Sequence, residues 1–410
     1  MFVGEQQGTT TVRWGFLFAT TLGRACVGFQ FQALPALAPA LAASLGLGLA
    51  EIGTLTGLYM LPGVAVALVG GALLQRFAVR TVLALSLVAM TLSGVASFLA
   101  ADLGGQMLSR LLGGVGGVLF IVATLKGLYD HFPATELSLA NGISSAAHPF
   151  GMGSALVIFS AMGHEAAWQF GLLTTGAVSM VTLVALLAVT KKTTVLRPRE
   201  PRPFTLRLPR HELTMVMLAG CVLGLYAGSF HAFLSIFPSY LSASQWPPRD
   251  TASVMAVLGW APIVMAPLGG LLVARFGGSA PLIAICILVW GGSTVALPLL
   301  GISPWLIGLM VVFGPLVMGP VFSLGAEAVS PERRGIGSGI FMSGFFLGNA
   351  ALPAAAAWVG ERIPGTSAGG EATAVVFCGL AFLCALVPFL MFKAMRAKLD
   401  RAKARPNESL

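Results

Sequence analysis

Four ionisable side chains fall deep within long apolar segments of the chain: Arg24, Arg110, His148 and His231. An arginine at mid-bilayer costs at least ~2.5–3.5 kcal/mol on insertion scales, so each one calls for a reason. The planar guanidinium donates in parallel to carboxylate, nitrate or cyanate-like groups and does not deprotonate, which suits it to hold an anion. An imidazole takes up or releases a proton near neutral pH, which makes His148 and His231 candidate proton-coupling groups and His231 a candidate substrate contact too. Plainer readings stand beside these. A histidine among small residues is commonly an interhelical hydrogen-bond partner, and Arg110, about two turns from a span end, can snorkel to the interface.

The carboxylates give the complementary signal. All fifteen Asp and Glu fall at expected loops, tails or helix ends, and none at mid-membrane. Export of a cation typically needs a buried carboxylate, so two buried guanidinium groups without one fit an anion better. Helical spacing groups further residues with the charges. Thr21, Arg24, Gly28 and Gln32 share one helical face, as do Arg110, Gly114, Gly117 and Thr124. The same holds for Asn141, Ser145, His148 and Met152, and for Gly224, Gly228, His231 and Ser235. Small residues beside Arg110 are expected to leave room next to its guanidinium. Gln32, Tyr59 and Tyr226 complete the candidate substrate contacts. Trp260 is a further candidate to shape the cavity, although an aromatic on an apolar helix is more often packing.

The elements that must position these groups follow from composition. Only 24 Lys and Arg and 15 Asp and Glu occur in 410 residues, and mean hydropathy is +0.88. Ten percent charge is too little to coat a soluble fold of this length, against ~25% in ordinary globular proteins. Charge-free stretches such as 25–50, 81–101, 166–190, 251–274 and 372–392 are each long enough to span a bilayer. The 276–326 stretch holds two spans divided at Gly301–Pro304. Allowing Arg24 and Arg110 inside spans, the sequence predicts twelve helices: an all-α polytopic membrane protein.

Alternate assignment of loops puts 20 of the 24 Lys and Arg on one side, which the positive-inside rule makes cytoplasmic together with both termini. A bacterial-type inner membrane is the expected location. The net charge of +9 thus reports topology; no nucleic-acid partner is expected, because no aromatics interleave the basic residues. Residues 191–212, rich in Arg and Pro, form the longest polar break. They divide an N-terminal bundle (1–190) from a C-terminal one (213–395), followed by a basic tail (396–410). The halves share a pattern: Gly70, Gly71, Arg76 and Phe77 recur as Gly269, Gly270, Arg275 and Phe276, offset by 199. Related six-helix halves are the organisation of many secondary transporters, whose substrate site lies between them.

Twelve helices as six plus six, a basic central loop and the repeated Gly-x-x-x-x-Arg turn resemble the major facilitator superfamily. The family's turn motif, Gly-x-Leu-x-Asp-Arg-x-Gly-Arg-Arg/Lys, reads here from Gly71 through Leu73, Gln75, Arg76 and Ala78 to Arg80, with Gln75 in place of Asp and Ala78 in place of Gly. In the second copy Ala274 takes the Asp position. Arg110, Gly114 and Gly117 resemble a second motif, in helix 4. The resemblance implies a gating role for Gly71, Arg76, Arg80, Gly270 and Arg275, and a central cavity lined by helices 1, 4, 7 and 10. It also implies that Arg24, Arg110 and His231 point inward. Arg24 early in helix 1 and the glycine-rich helix 4 are loosely similar to the cyanate and nitrate/nitrite porter branches.

No nucleophile elbow, Walker lysine loop, metal-ligand spacing or cofactor motif occurs, so neither an enzyme nor an ATP-driven pump is expected. The five cysteines fall in apolar spans and read as packing residues. The reading is a monomeric secondary transporter of a small anion, coupled to protons or to exchange. An exporter of neutral or amphipathic compounds remains open, as does a non-transporting assembly factor or sensor.

Overall fold

The structure is a computed structural model and describes residues 2–66, 77–132, 134–160, 168–190, 208–276, 279–330, 333–363 and 369–404. Every regular element among them is helical. The first half comprises α1 (Phe2–Ala36), α2 (Ala38–Leu45), α3 (Leu49–Leu58), α4 (Val79–Leu99), α5 (Leu103–His131), α6 (Ala134–Ser160) and α7 (Trp168–Val189). The second comprises α8 (Arg210–Ala243), α9 (Pro248–Phe276), α10 (Ala280–Leu300), α11 (Pro304–Leu316), α12 (Met318–Glu327), α13 (Arg334–Arg362), α14 (Gly369–Cys384) and α15 (Leu386–Ala404).

Prolines decide where spans break. Pro39 has no N–H for the Pro35 carbonyl, and α1 and α2 meet there at 52° as one bent span. Pro62 likewise leaves Leu58 without its helical donor, so α3 loosens at Tyr59–Leu61 within a span that runs from Leu49 to Val66. Pro320 separates α11 from α12 inside the span Pro304–Glu327, and the Leu316 carbonyl it leaves free sits against Gly269. Among the described residues ten helices are long and apolar enough to cross a membrane, and the bent α1–α2 pair makes eleven. The remaining long helix, α6, has 27 residues, about 40 Å at 1.5 Å per residue. It lies between α1 and α9. Twelve crossings in two bundles of six result.

Within each half, glycines let helix backbones touch. Gly94 on α4 meets Gly176 on α7, and Gly224 and Gly228 on α8 meet Gly344 and Gly348 on α13. The outward faces carry Leu85, Leu92 and Leu99 on α4 and Val181 and Val184 on α7, all exposed. Such a surface is stable against lipid, not water. The sequence-based boundary at 191–212 falls mostly outside the described residues.

The two halves meet along α3–α13 and α6–α9. Gly53 lies on the Pro353 carbonyl, Gly57 on the Ala350 carbonyl, and a Cβ on Gly259 would stand 2.6 Å from the Gly153 Cα. The Glu361 carboxylate at the end of α13 accepts from the Ala50 N–H at 2.7 Å, bonding to the first turn of α3 in the other half. These contacts shut the end of the bundle that carries the 46–48 turn. Gly142, toward the other end of α6, faces open space. The end bearing the 46–48 turn is therefore closed, and Gly142 borders the space between the halves.

Candidate functional site

A cavity of about 420 Å³ lies between the halves. The first half contributes Arg24 from α1, Met60 from the break after α3, Ile121 from α5, and Ser145, His148 and Met152 from α6. The second contributes Tyr226, Phe230 and His231 from α8, Gly259 and Pro262 from α9, Phe322 from α12, and Phe345 and Phe346 from α13. Among the described residues no Asp or Glu lines it. The lining thus comes from helices 1, 2, 4 and 5 of the first half and 7, 8, 10 and 11 of the second, twice the set the resemblance implied.

Of the expected site residues, Arg24, His148, Tyr226 and His231 are brought together here. The Arg24 Nε is buried without a hydrogen-bond partner, and no carboxylate pairs with this side chain among the described residues. The His148 Nδ1 is also buried and unbonded. Close packing sets both groups: Gly28 lies against the His148 carbonyl and Gly151 against that of Ala25, so α1 and α6 touch backbone to backbone. Three of the four α6 residues grouped by spacing, Ser145, His148 and Met152, face the cavity. Trp260, the further candidate, is not among the lining residues; it is exposed, stacks on Phe150 and donates its indole N–H to the Phe150 carbonyl at 3.3 Å.

Asn349 on α13, fully buried and missed by the sequence reading, is hydrogen-bonded to the lining residue His231. Its Nδ2 donates to the Phe345 carbonyl at 2.8 Å, which leaves its Oδ1 to accept from His231 Nδ1. The neutral imidazole then keeps a lone pair on Nε2, the position open to a proton or a donor. A signal existed: Asn349 is the sole amide in the charge-free stretch 335–360, and a mid-membrane amide needs a partner.

Arg110, Tyr59 and Gln32, the other expected substrate contacts, are not among the lining residues and are engaged elsewhere in the fold. Arg110 is buried in the first half and donates from Nε to the Leu55 carbonyl at 3.0 Å, from one terminal nitrogen to Gln30 at 3.0 Å, and from the other to Phe31 at 3.1 Å. Pro35 explains one of these acceptors. It cannot donate to the Phe31 carbonyl four residues earlier, and the guanidinium replaces that missing bond. The room expected beside Arg110 is filled: Gly114 and Gly117 lie on Tyr59, whose ring sits 4.6 Å from the guanidinium carbon. The Tyr59 hydroxyl donates to Gln30 Oε1 at 3.2 Å. Gln32 does the analogous service across the halves. Pro238 frees the Leu234 carbonyl on α8, and Gln32 Nε2 donates to it at 3.3 Å.

Of the expected gating residues, Gly71 and Arg76 lie outside the described residues. Arg80 Nε donates to the Thr190 hydroxyl at 3.0 Å, tying α4 to the end of α7. Gly270 faces open space, and Arg275 is exposed beside the Phe276 ring.

A cavity between two six-helix bundles is the architecture of a membrane transport protein. The chain belongs to the Major Facilitator Superfamily, whose family model matches residues 20–329 and 225–409. It is 27% identical over 172 residues to a galacturonate transporter of Dickeya chrysanthemi, a match covering 42% of this chain and 49% of that protein. The chain therefore spans about half the length of the curated relative it matches. Among solved structures, a bacterial homologue of the human lysosomal transporter Spinster, in an inward-facing and unoccupied conformation, superposes with a TM-score of 0.72 at 16% identity, covering 94% of this chain and 96% of that one. The inward-open xylose transporter XylE from E. coli gives 0.71 at 15% identity, covering 92% and 96%. These likenesses establish the fold. The substrate must be argued from the site.

Proposed function

We propose that the chain is a secondary active transporter that carries an anion by alternating access, with Arg24 as the fixed positive charge. The observation that carries this reading is Arg24, its Nε unbonded, in a cavity that no carboxylate lines among the described residues. An unneutralised guanidinium disfavours sealing the cavity, because enclosing a lone charge in a low-dielectric site is costly. A bound anion removes that penalty, so closure around substrate is easier than closure around nothing. Rocking then breaks the α3–α13 and α6–α9 contacts and exposes the same site at the other end.

His148 and His231 are the candidates for proton coupling, and exchange of one anion for another needs neither. The turns at Gly71, Arg76 and Arg80 and at Gly270 and Arg275 are proposed to steady the open end during this motion. The skew of basic residues supports an inner-membrane protein with both termini in the cytoplasm, and one chain encloses the cavity as a monomer. The galacturonate transporter among its relatives favours an organic anion over the cyanate and nitrate branches. A second reading, export of neutral or amphipathic compounds, draws on the apolar lining with Met60, Met152, Met318 and Met342. Proteoliposome flux with wild type and Arg24→Gln decides between them. Loss of anion flux in the variant supports the anion reading, and retention of wild-type flux overturns it.

A further inference from the structure

The cavity is two-faced, and its two faces come from different halves. The first half supplies its polarity, with Arg24, Ser145 and His148. The second supplies an aromatic wall: Phe230 on α8, Phe322 on α12, and Phe345 and Phe346 on α13. Phe345 and Phe346 meet edge to face with centroids 5.3 Å apart, and Phe345 and Phe230 both flank His231. The polar groups on this side are few. They are Tyr226 and His231, whose Nδ1 already donates to Asn349 and whose Nε2 stays open.

We infer that the substrate is an organic monocarboxylate with an aromatic or similarly apolar body, its carboxylate on Arg24 and its body against the phenylalanine wall. This deepens the anion reading above and rests on it. Size argues first. About 420 Å³ of space is far more than an anion of three or four atoms fills, given ~30 Å³ for one water in the liquid. Such an ion would leave the aromatic wall against trapped water. Chemistry argues second. A sugar acid carries a hydroxyl on nearly every carbon, and apart from His231 Nε2 and Tyr226 the aromatic wall offers those hydroxyls no partner once water is expelled. An aromatic ring gains there by edge and face contacts.

The test is binding by the purified full chain in nanodiscs, by calorimetry, of 3-phenylpropionate, its amide, galacturonate and nitrate. We expect 3-phenylpropionate to bind best and its amide about tenfold weaker or more, the worth of a charge-assisted pair. Arg24→Gln should erase the difference between acid and amide. Phe345→Leu and, on a different helix, Phe322→Leu should each weaken the acid several-fold. Either variant suffices if the other fails to fold. Galacturonate or nitrate binding as tightly as 3-phenylpropionate, with both leucine variants unchanged, overturns the aromatic substrate while leaving the anion reading standing. Equal binding of acid and amide that ignores Arg24→Gln overturns the anion reading itself. No binding of 3-phenylpropionate by a folded wild type overturns this inference alone.

Discussion

Arg110 and Arg24 lie in the same bundle, on α5 and α1, and face opposite surroundings. Each nitrogen of Arg110 donates to a carbonyl on α1 or in α3, and its plane is covered by Tyr59. Arg24 borders the cavity with its Nε unbonded. A buried charge that spends its donors on the fold has none to offer a ligand, and a buried charge left without partners is unfavourable until one arrives. The difference teaches that depth in the membrane says an arginine needs a partner and leaves open whether that partner is protein or substrate.

The contrast breaks most visibly at Arg110. Arg110→Leu strands the Phe31 carbonyl beside Pro35 and should cost about 3 kcal/mol or more. Thermal unfolding of the detergent-purified variant should show a large fall, and Arg110→Lys should recover only part of it, since one ammonium reaches three carbonyls on two helices poorly. A melting temperature equal to wild type would remove the structural role. Arg24→Gln should do the reverse, leaving melting nearly unchanged while anion binding weakens about tenfold or more. If this variant instead unfolds like Arg110→Leu, the two arginines are not distinct.

Smaller changes sharpen the comparison. Asn349→Leu leaves the His231 Nδ1–H without an acceptor and should cost about 1–3 kcal/mol of stability while Arg24-dependent anion binding persists. Parallel calorimetry and melting would expose a direct substrate contact through Asn349 if binding fell first. The smallest effect is expected from Tyr59→Phe. It keeps the ring over Arg110 and loses only the hydrogen bond to Gln30, about 1 kcal/mol. A collapse of transport in this variant, with melting unchanged, would return Tyr59 to the substrate path.

The expected spans agree closely with the helices, because a bilayer constrains a chain in one dimension. A segment either is apolar for about 20 residues or does not cross. The α6 stripe of Ser145, His148 and Met152 was legible for a related reason: helical periodicity fixes which residues share a face. The faces on α1 and α5 were harder to interpret. Gly114 read as open space beside a charge, but a glycine invites a neighbouring backbone: the Tyr59 carbonyl occupies that space, and the His148 carbonyl lies likewise against Gly28.

By itself, then, the sequence determined the membrane class, the two-half repeat and the short set of costly polar groups at depth. It also held clues to their pairing, since Pro35 and Pro238 mark the Phe31 and Leu234 carbonyls as lacking helical donors. Tertiary structure decided which side chains answer: Arg110 and Gln32 from helices distant in sequence, with Arg24 left over at the cavity. Periodicity carries direction around one helix, and a hydrogen bond depends on the distance between two. Only the packed bundle sets that distance, and so only it separates the arginine that holds the fold from the one available to a substrate.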